Sequence, residues 1–404
     1  MGYRPTRFYI CRFMTSIKLY DKLLKGIYID RPNRFVVHAM VNGKPALCHM
    51  PNPGRMRELL FPGAVMYVIP SANRDGKTKY KVVGIEKAGM PLLLDTPKCN
   101  EVAAFLINHK KIPGWESFHV ARREVTMGDS RFDLLLEHDL RGTTFPVEVK
   151  SCTLFGRHGA MFPDAPTARG VKHVRHLIQL GESGRRAGLF IIAHSGESQW
   201  FLPDFHTDPV FAETFRQAMG IVDWKAAAIS WNSSFSMPDK VRLLPTSKEL
   251  IAREGGNHGD YLLVLYLDKG QMIQVGEKGD IFFRKGYYVY VGSAKRNLAQ
   301  RMARHQRLRK KMHWHIDYIR QKCQYVYSIP IRTSSDLEHE LAAAVGMVSD
   351  WKISGIGSTD CHCDSHIFGF TSNPIHLPEF INIEENFKIN RYDAYFLKKE
   401  NGQV

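Results

Sequence analysis

The feature that most constrains the fold is a charged pair inside an apolar, strand-forming run. The segment FPVEVKSCTLF spans residues 145–155, and Glu148 and Lys150 lie two positions apart within it. Alternate residues of a β-strand point to the same face of the sheet. The sequence therefore predicts a carboxylate and an ammonium group side by side on one face of a largely apolar strand.

A second carboxylate precedes this pair in another apolar run. Asp133 lies in SRFDLLLEHD, and a short loop separates that run from the strand of Glu148. A hairpin of this size can bring Asp133 and Glu148 together, and their carboxylates with the Val149 carbonyl form a hard oxygen site for Mg²⁺ or Mn²⁺. Lys150 would hold a water molecule beside the cation. The alternative is an exposed edge strand with a surface ion pair of little energetic consequence.

Length, charge and cysteine usage define the class of protein. The chain has 404 residues, long enough for two or three domains, and a formal net charge of +16. Nucleic acid is the expected partner of such a basic chain, ahead of an anionic membrane surface, and a merely soluble basic protein is the alternative. The absence of an 18-residue apolar run predicts no membrane span. Seven scattered cysteines favour a reducing, cytoplasmic compartment.

Three regions follow from the local patterns. Short strands separated by turn residues predict a small barrel. The next region reads as helix, three strands, helix and strand, which predicts a mixed α/β domain. A third unit has two strands and a very basic stretch.

Six segments are predicted along the chain. They are 1–23 for a basic, aromatic extension, 24–95 for the barrel, 96–235 for the α/β domain, 236–257 for a linker, 258–372 for the third unit and 373–404 for a tail of unassigned role. The extension does not have the pattern of a secretory signal.

The central residues resemble two known patterns. Asp133 followed by Glu148-Val149-Lys150 is similar to the PD-(D/E)XK nuclease signature. More closely, residues 24–235 resemble the sugar fermentation stimulation protein family. That resemblance implies an OB-like barrel that binds nucleic acid, followed by a nuclease-like domain, although the family name suggests a DNA-binding regulator. The stretches that carry it are HMPNPGRM (49–56), REVTMGDSRFDLLL (123–136), VEVKSCTL (147–154) and FPDAPTARGVKHVRHLIQL (162–180).

Other polar residues near this site have two interpretations each. Glu101, early in the first predicted helix, is either a third metal carboxylate or a residue that complements the helix dipole. Arg131 on its strand either contacts phosphate or is solvated. The same choice applies to a basic face of the second helix, which carries Lys172, His173, Arg175 and His176.

The stretch MPNPGRMRELLFPG predicts a turn followed by one or two turns of helix, ended by Pro62 and Gly63. At such a helix start, phosphate binding and a plain turn with a cap are equally consistent with the sequence. The phosphate-binding candidates are Asn52, Gly54, Arg55 and Arg57.

The third unit contains two tyrosines, an arginine and a glutamate on successive predicted elements. Tyr261 and Tyr290 lie in predicted strands, Arg301 on the next helix and Glu338 on a later helix. A proton acceptor, a cation and a metal ligand are sufficient for an in-line phosphoryl displacement. The order resembles the GIY-YIG nuclease pattern, and residues 259–370 resemble an uncharacterised GIY-YIG-like family.

The GIY-YIG resemblance implies a role for each of these residues. The two tyrosines would surround the attacking water, Arg301 would stabilise phosphate charge and Glu338 would hold one divalent metal ion. The motifs here depart from the pattern, because they read Gly-Asp-Tyr and Tyr-Val-Gly. A nucleic-acid-binding or structural relic without activity is therefore the alternative.

Basic residues are concentrated after the second strand of this unit. Between residues 284 and 322 there are 12 Lys or Arg residues against one acid, Asp317. Neutralising several phosphates gives strong, salt-sensitive affinity, so this stretch predicts nucleic-acid contact, with Arg304 and His305 among the contacting residues. A solvated basic helix is the alternative.

Cysteine and histidine residues in this unit suggest zinc. The motif CHCDSH supplies Cys361, Cys363 and His366, and HWH supplies His313 or His315 as a fourth ligand. The alternative is a tight loop near the active site.

The sequence as a whole predicts a multi-domain α+β protein: an OB-like β-barrel, a PD-(D/E)XK-like α/β core and a GIY-YIG-like α/β domain. The predicted function is divalent-metal-dependent phosphodiester hydrolysis, with DNA favoured over RNA. A non-catalytic DNA-binding transcriptional regulator of sugar metabolism is the competing class, and a repair scaffold with an active C-terminal unit is a third. A homodimer is a further expectation, because many nucleases of the central type pair to cut two strands.

Overall fold

The protein is described by a computed structural model that covers residues 17–73, 75–357 and 362–400. Three units follow one another along the chain, and each has its own sheet. The predicted mixed α+β architecture is confirmed. No helix within these ranges is long and apolar enough to cross a membrane.

The first unit is a closed five-stranded barrel with one additional strand. Its sheet runs β3-β2-β1-β4-β5-β6, and a further pairing of β3 with β5 closes the barrel. Alternate residues of β2, such as Val37 and Ala39, are fully buried in the interior. The strands are β1 (Leu24–Asn33), β2 (Val36–Val41), β3 (Lys44–His49), β4 (Val65–Pro70), β5 (Tyr80–Lys87) and β6 (Met90–Leu93).

The second unit is built on a six-stranded sheet with helices on both faces. Its first half contains a 3₁₀ turn (Thr96–Lys98), α1 (Cys99–Asn108), β7 (Phe118–Met127), β8 (Ser130–His138), β9 (Thr144–Cys152), β10 (Leu154–Phe155), β11 (Gly159–Phe162) and α2 (Ala168–Glu182). Its second half contains β12 (Gly188–Ala193), β13 (Trp200–Pro203), α3 (Pro209–Ala218), β14 (Asp223–Ala228), β15 (Arg242–Leu243) and α4 (Lys248–Glu254). The large sheet has the order β15-β14-β12-β9-β8-β7, and β10, β11 and β13 form a smaller sheet.

The two faces of the large sheet are covered by different helices. Val147 and Val149 of β9 pack in one apolar cluster with α1, whereas Leu189 and Ile191 of β12 pack in another with α2. Since side chains alternate along β9, Glu148 and Lys150 leave the sheet on the α2 side. The helix, three-strand, helix and strand order predicted for this unit is present.

The predicted linker, residues 236–257, contributes ordered structure. Its strand β15 pairs with β14, and its helix α4 begins after Ser247, whose hydroxyl accepts the Leu250 N–H. Leu250 and Ile251 are buried in the central core. The two adjacent apolar residues thus anchor a helix that is otherwise mostly charged.

The third unit is a five-stranded sheet, order β20-β16-β19-β22-β21, between two helical layers, with a separate β17–β18 hairpin. Tyr261 and Leu263 of β16 pack towards α5 and α6, while Leu262 and Val264 pack towards α7 and α8. The elements are β16 (Gly259–Leu267), β17 (Gln271–Gln274), a 3₁₀ turn (Gly276–Lys278), β18 (Asp280–Phe283), β19 (Gly286–Ala294), α5 (Leu298–Gln306), α6 (His315–Lys322), β20 (Gln324–Arg332), α7 (Glu338–Val348), β21 (Trp351–Lys352), β22 (Ile367–Phe370), a 3₁₀ turn (Pro374–His376), α8 (Pro378–Lys388), a 3₁₀ turn (Asn390–Tyr392) and α9 (Asp393–Glu400).

The segment after residue 373 packs back onto the first two units. Lys87 of the barrel forms an ion pair with Glu385 of α8 at 2.6 Å. Trp200 of the central unit donates a hydrogen bond to Asp393 at 2.9 Å and stacks on Phe396, with ring centroids 5.0 Å apart. The segment to which the sequence assigned no role therefore connects all three units.

We expect Phe396→Ala to lower the free energy of unfolding by about 3 kcal/mol, because it leaves a cavity against the fully buried Trp200. Denaturant unfolding followed by tryptophan fluorescence measures this loss. Leu140→Ala is the matched control, since Leu140 is 92% exposed and its truncation is expected to change stability by less than about 0.5 kcal/mol. Equal effects of the two variants would contradict a stabilising role for α9.

Candidate active site

A cleft between the barrel and the central sheet contains the predicted metal-binding carboxylates. Its volume is about 530 Å³, and Asp133, Glu148 and Lys150 all line it. The turn of residues 52–54 from the barrel and residues 162–170 before and within α2 form its other walls. The tertiary structure therefore brings together the three residues that the sequence predicted as one site.

Asp133 lies where two strands separate. The β8–β9 ladder ends at the Leu134–Val147 pair, and at the next position Asp133 Oδ2 accepts the Val149 N–H at 2.8 Å. Its other oxygen, Oδ1, accepts a hydrogen bond from Asn100 of α1 at 2.8 Å. A side chain thus replaces the backbone acceptor at this point, and the hydrogen bond fixes the carboxylate in the cleft lining.

Glu148 is held by two cationic or potentially cationic neighbours on the α2 side of the sheet. Its Oε1 accepts hydrogen bonds from Lys150 Nζ and His173 Nδ1, each at 2.5 Å. Its Oε2 is buried and has no hydrogen-bond partner among the described residues. One oxygen is therefore immobilised, while the other is available to a ligand in the cleft.

The two carboxyl groups have opposite pKa shifts. Burial and the negative charge of Glu148 raise the pKa of Asp133 above its usual value. Burial opposes ionisation of Glu148 as well, but hydrogen bonds from His173 and the charge of Lys150 outweigh it, so the pKa of Glu148 is lowered. Two carboxyl groups that line one cleft and have perturbed pKa values are characteristic of functional sites.

The cleft residues fit a hard divalent cation. Carboxylate oxygens are the preferred ligands of such ions, and Glu148 Oε2 is a buried oxygen that lacks a partner in the described part of the chain. A cation would also offset the mutual repulsion that contributes to the raised pKa of Asp133. The unpartnered oxygen of Glu148 and the raised pKa of Asp133 therefore both favour a bound cation.

Two residues of this site were missed or misassigned from the sequence. Asn100 was not considered, and the structure brings it to Asp133 while its neighbour Glu101 pairs with Lys98 at 2.5 Å, outside the cleft lining. His173 was grouped with the exposed basic face of α2, but it is 5% exposed and contacts Glu148. The helical spacing of buried residues would have indicated this, because residues 170, 173, 174 and 177 share the inner face.

The helix predicted in the barrel segment MPNPGRMRELLFPG is wrong. Residues 51–63 form turns without a regular helix, and Met56 has a positive φ of 48°. Pro51 and Pro53 lack backbone N–H groups, and a Cβ on Gly54 would lie 2.1 Å from Asp164 Oδ2. The chain therefore turns closely around Asp164, and the candidate phosphate site has no helix start.

The phosphate-contact candidates of this turn have partners within the protein. Asn52 is buried in the cleft wall, and its side chain bonds Thr153 at 3.3 Å and the Gly54 N–H at 2.9 Å. Arg55 donates to the hydroxyl of Tyr327 in the third unit, and Arg57 stacks on the same ring at 4.0 Å. This turn therefore connects the third unit to the central cleft.

The remaining basic candidates of the central unit are exposed. Arg131 lies 3.6 Å from Glu124. Lys172 and Arg175 line an open groove of about 870 Å³ on the outer side of α2. Exposed basic side chains around a groove are accessible to a polyanion.

The third unit has a second polar cavity, of about 390 Å³. Tyr261, Tyr290, Arg301 and Glu338 all line it, so the structure brings these four predicted residues together. Arg301 donates a hydrogen bond to the Ser293 carbonyl at 2.5 Å. The cavity combines phenol, guanidinium and carboxylate groups around one space.

Glu338 begins α7 and is fixed by two neighbours. Its Oε2 accepts a hydrogen bond from the Ser293 hydroxyl at 2.6 Å, and its Oε1 lies 3.2 Å from His366 Nδ1. Burial opposes ionisation, but these hydrogen bonds outweigh it and lower the pKa of Glu338. Asp260 was not considered as a site residue, yet burial and the nearby Glu338 raise its pKa to about 7.

His305 is not an exposed nucleic-acid contact in this structure. It is 1% exposed and hydrogen-bonds the Tyr261 hydroxyl through Nε2 at 2.8 Å, while its Nδ1 lies 3.7 Å from Asp317. Burial lowers the pKa of His305 and raises that of Tyr261 well above its usual value. The imidazole is therefore positioned to accept a hydrogen bond from the tyrosine hydroxyl, which orients the phenol. Arg304 is also engaged within the protein, because it forms two 2.9 Å hydrogen bonds to Asp317.

Two of the predicted zinc ligands lie close together in the structure. Cys363 and His366 lie together with His339, which was not among the predicted ligands. Cys361 lies outside the described residues. His315 instead accepts the Gly357 N–H at 3.2 Å, and His313 lines the tyrosine cavity.

Comparison with known proteins identifies the units. Residues 29–93 match the SfsA N-terminal OB domain, and residues 98–232 match the sugar fermentation stimulation protein RE domain. Homologues named sugar fermentation stimulation protein include one from Methanothermobacter thermautotrophicus, 34% identical over 205 residues, 51% of this chain and 85% of the relative. The chain belongs to the sugar fermentation stimulation protein family. A Moorella thermoacetica homologue is 37% identical over 203 residues, 50% of this chain and 87% of the relative.

A solved structure supports the same assignment for the first two units. It is described as Pyrococcus furiosus SfsA in complex with Ca²⁺, with 30% identity and a TM-score of 0.51, and the match covers 56% of this chain and 96% of that one. The third unit matches a different family. Residues 260–389 correspond to the domain of unknown function DUF123, so the match includes α8 in the segment predicted as a tail. The resemblances to the sugar fermentation stimulation family and to a GIY-YIG-like C-terminal domain are confirmed.

Proposed function

We propose that this protein is a divalent-cation-dependent nuclease that hydrolyses phosphodiester bonds at the Asp133–Glu148–Lys150 cleft. The observation that carries the proposal is the pair of carboxylates where β8 and β9 separate, Glu148 buried and Asp133 partly buried, with Lys150 beside them. Two acids facing a polyanionic substrate would repel it unless a cation lies between them. A binding module has no use for such an arrangement.

Mg²⁺ or Mn²⁺ is the proposed cation, and Asp133 and Glu148 would hold it. The Ca²⁺ in the Pyrococcus furiosus relative supports a hard-cation preference. When bound, the ion supplies charge neutralisation at the phosphoryl oxygens and lowers the pKa of water. Glu101 would require a different conformation to take part, because it pairs with Lys98.

The protein's own residues position the reacting groups. Lys150 Nζ, anchored on Glu148 Oε1, would orient a water molecule towards the phosphorus and stabilise the charge that develops there. His173 would keep Glu148 ionised and in one rotamer through its 2.5 Å hydrogen bond. Asn100 would orient the Asp133 carboxylate in the same way.

Nucleic acid, with DNA as the first candidate, is the proposed substrate. The OB-like barrel forms one wall of the cleft, and Lys172 and Arg175 lie on an accessible groove of the central unit. A net charge of +16 favours a polyanionic partner. Arg131 is exposed and extends the set of available basic groups.

The cavity around Tyr261 is a second candidate for the same chemistry. Tyr261, hydrogen-bonded to His305, would take part in water activation, and Arg301 would stabilise phosphate charge. Glu338 would hold a cation in this cavity. Tyr290 lines the same cavity, with its ring centroid 6.3 Å from that of Tyr261.

The decisive experiment measures Mg²⁺- or Mn²⁺-dependent cleavage of labelled single- and double-stranded DNA and RNA. Wild type, Glu148→Ala, Tyr261→Phe and the double variant are compared, and binding is measured on the same samples. Loss of cleavage in Glu148→Ala with retained binding is the expected result. If Tyr261→Phe alone abolishes cleavage, the third unit is the enzyme. Tight, salt-sensitive binding without cleavage of any substrate would contradict the nuclease proposal and favour a non-catalytic DNA-binding regulator.

A pH profile tests the role of His173. His173→Leu removes the hydrogen bond to Glu148, and the pKa of Glu148 rises towards the ordinary value, since that bond holds it down. The ionised carboxylate is the cation ligand, so activity is expected to disappear at a higher pH on the acid side of the rate profile. His176→Leu, on the same helix but without contact to Glu148, should leave the acid limb in place. If the acid side of the rate profile is unchanged in both variants, His173 does not control the ionisation of Glu148.

A further inference from the structure

Two histidine side chains and one cysteine side chain lie close together beside α7, away from the central cleft. Atoms of His339, Cys363 and His366 lie within 4.8 Å of one another. The first residue belongs to α7 and the other two precede β22, so the cluster joins elements that are 24 or more residues apart. Its members range from exposed His339 to buried His366. We call this set the His-Cys-His trio.

The spacing within the trio suits a tetrahedral metal. His339 Nδ1 lies 3.3 Å from Cys363 Sγ. In a tetrahedral zinc site, with bonds of about 2.3 Å to sulfur and about 2.0 Å to nitrogen, these two ligand atoms lie roughly 3.6 Å apart. This pair is therefore within a few tenths of an ångström of a coordinating separation, and His366 lies within 4.8 Å of both.

The surroundings of His366 match those of a metal-bound histidine. Its Nδ1 lies 3.2 Å from the Glu338 carboxylate. Histidine ligands of zinc almost always direct their second ring nitrogen at a carboxylate or carbonyl, which fixes the tautomer and the ring orientation. With Nδ1 facing Glu338, Nε2 is the metal-ligating atom.

We propose that His339, Cys363 and His366 bind one Zn²⁺ ion. Two imidazole nitrogens and a thiolate favour zinc over the hard ions expected at the carboxylate cleft. The ion ties the loop before β22 to the start of α7, and it orients His366 against Glu338. This site does not depend on the proposed nuclease function, because metal content is measured without any substrate.

The test is the zinc content of the full-length protein, purified without a metal-binding tag under reducing conditions. Wild type is expected to carry about one zinc per chain, and His339→Gln and Cys363→Ser at least about tenfold less. His362→Gln is the matched control, because this exposed neighbour is outside the trio. Glu148→Gln should also retain zinc, since it alters only the central cleft.

Cobalt substitution gives a second, spectroscopic reading. Co²⁺ bound to the trio should produce a thiolate charge-transfer absorption that is lost in Cys363→Ser and kept in Cys323→Ser, where the replaced thiol is buried elsewhere. His339→Gln covers the case in which Cys363→Ser does not fold, because His339 is exposed. Wild-type protein with neither zinc nor the cobalt absorption, or trio variants with undiminished zinc, would overturn the proposal.

Discussion

Lys150→Met is expected to reduce cleavage by about 100- to 1,000-fold while cation binding persists. The ammonium group lies on the cleft wall with its Nζ 2.5 Å from Glu148 Oε1, so its removal takes away the group that would orient the water. The cation ligands Asp133 and Glu148 remain. Loss of a neighbouring positive charge should even strengthen cation binding at alkaline pH, where Glu148 is ionised.

Cleavage rates and Ca²⁺ titration calorimetry on the same preparations separate the two effects. Lys98→Met is the matched control, since Lys98 pairs with Glu101 and does not line the cleft. A Lys150→Met protein that cleaves at the wild-type rate would exclude the water-positioning role. A variant that loses both cleavage and Ca²⁺ binding would instead make Lys150 a structural support of Glu148.

Asp133→Asn is expected to raise the thermal stability of the metal-free protein and to abolish its stabilisation by divalent cations. Burial and the charge of Glu148 raise the pKa of Asp133, so its ionised form destabilises the folded state. An asparagine can accept the Val149 N–H and donate to a flipped Asn100 side chain, which keeps both contacts satisfied. A gain of about 1 kcal/mol would raise the melting temperature by about 2–4 °C.

The pH dependence of this effect has a defined sign. For an acid whose folded pKa is raised, the destabilisation is fully present above the folded pKa and disappears as pH falls below the unfolded value. The difference between Asp133→Asn and wild type should therefore shrink towards acidic pH.

Differential scanning calorimetry with and without Ca²⁺ measures both parts of the Asp133 prediction. Asp139→Asn serves as the control, because the exposed Asp139 has its pKa lowered by hydrogen bonds from Lys110 and His119. Its replacement should give no gain in stability and should leave the Ca²⁺ response intact. A metal-free Asp133→Asn protein that melts below wild type, or one that keeps the wild-type Ca²⁺ response, would contradict the assignment.

Much of the fold was predictable because it depends on short-range periodicity. The alternation along β16 separates Tyr261 from Leu262 onto opposite faces, as the strand pattern requires. The helix predicted after Pro53 failed because the turn is shaped by contacts with Asp164, which lies far away in the sequence. Ordered structure in the predicted linker was missed because its short, mostly charged helix buries Leu250 and Ile251 only by packing on the central unit.

The sequence by itself determined the pairing of Glu148 with Lys150, because a two-residue period places both on one face of any strand that forms. The resemblance of the sequence to the GIY-YIG pattern grouped Tyr261, Tyr290, Arg301 and Glu338, and the structure brings these four residues to one cavity. Only the tertiary structure decided that His173 contacts Glu148, that His305 lies buried against Tyr261 and that His339 joins Cys363. These contacts join elements distant along the chain, so they depend on how helices pack on sheets rather than on local spacing.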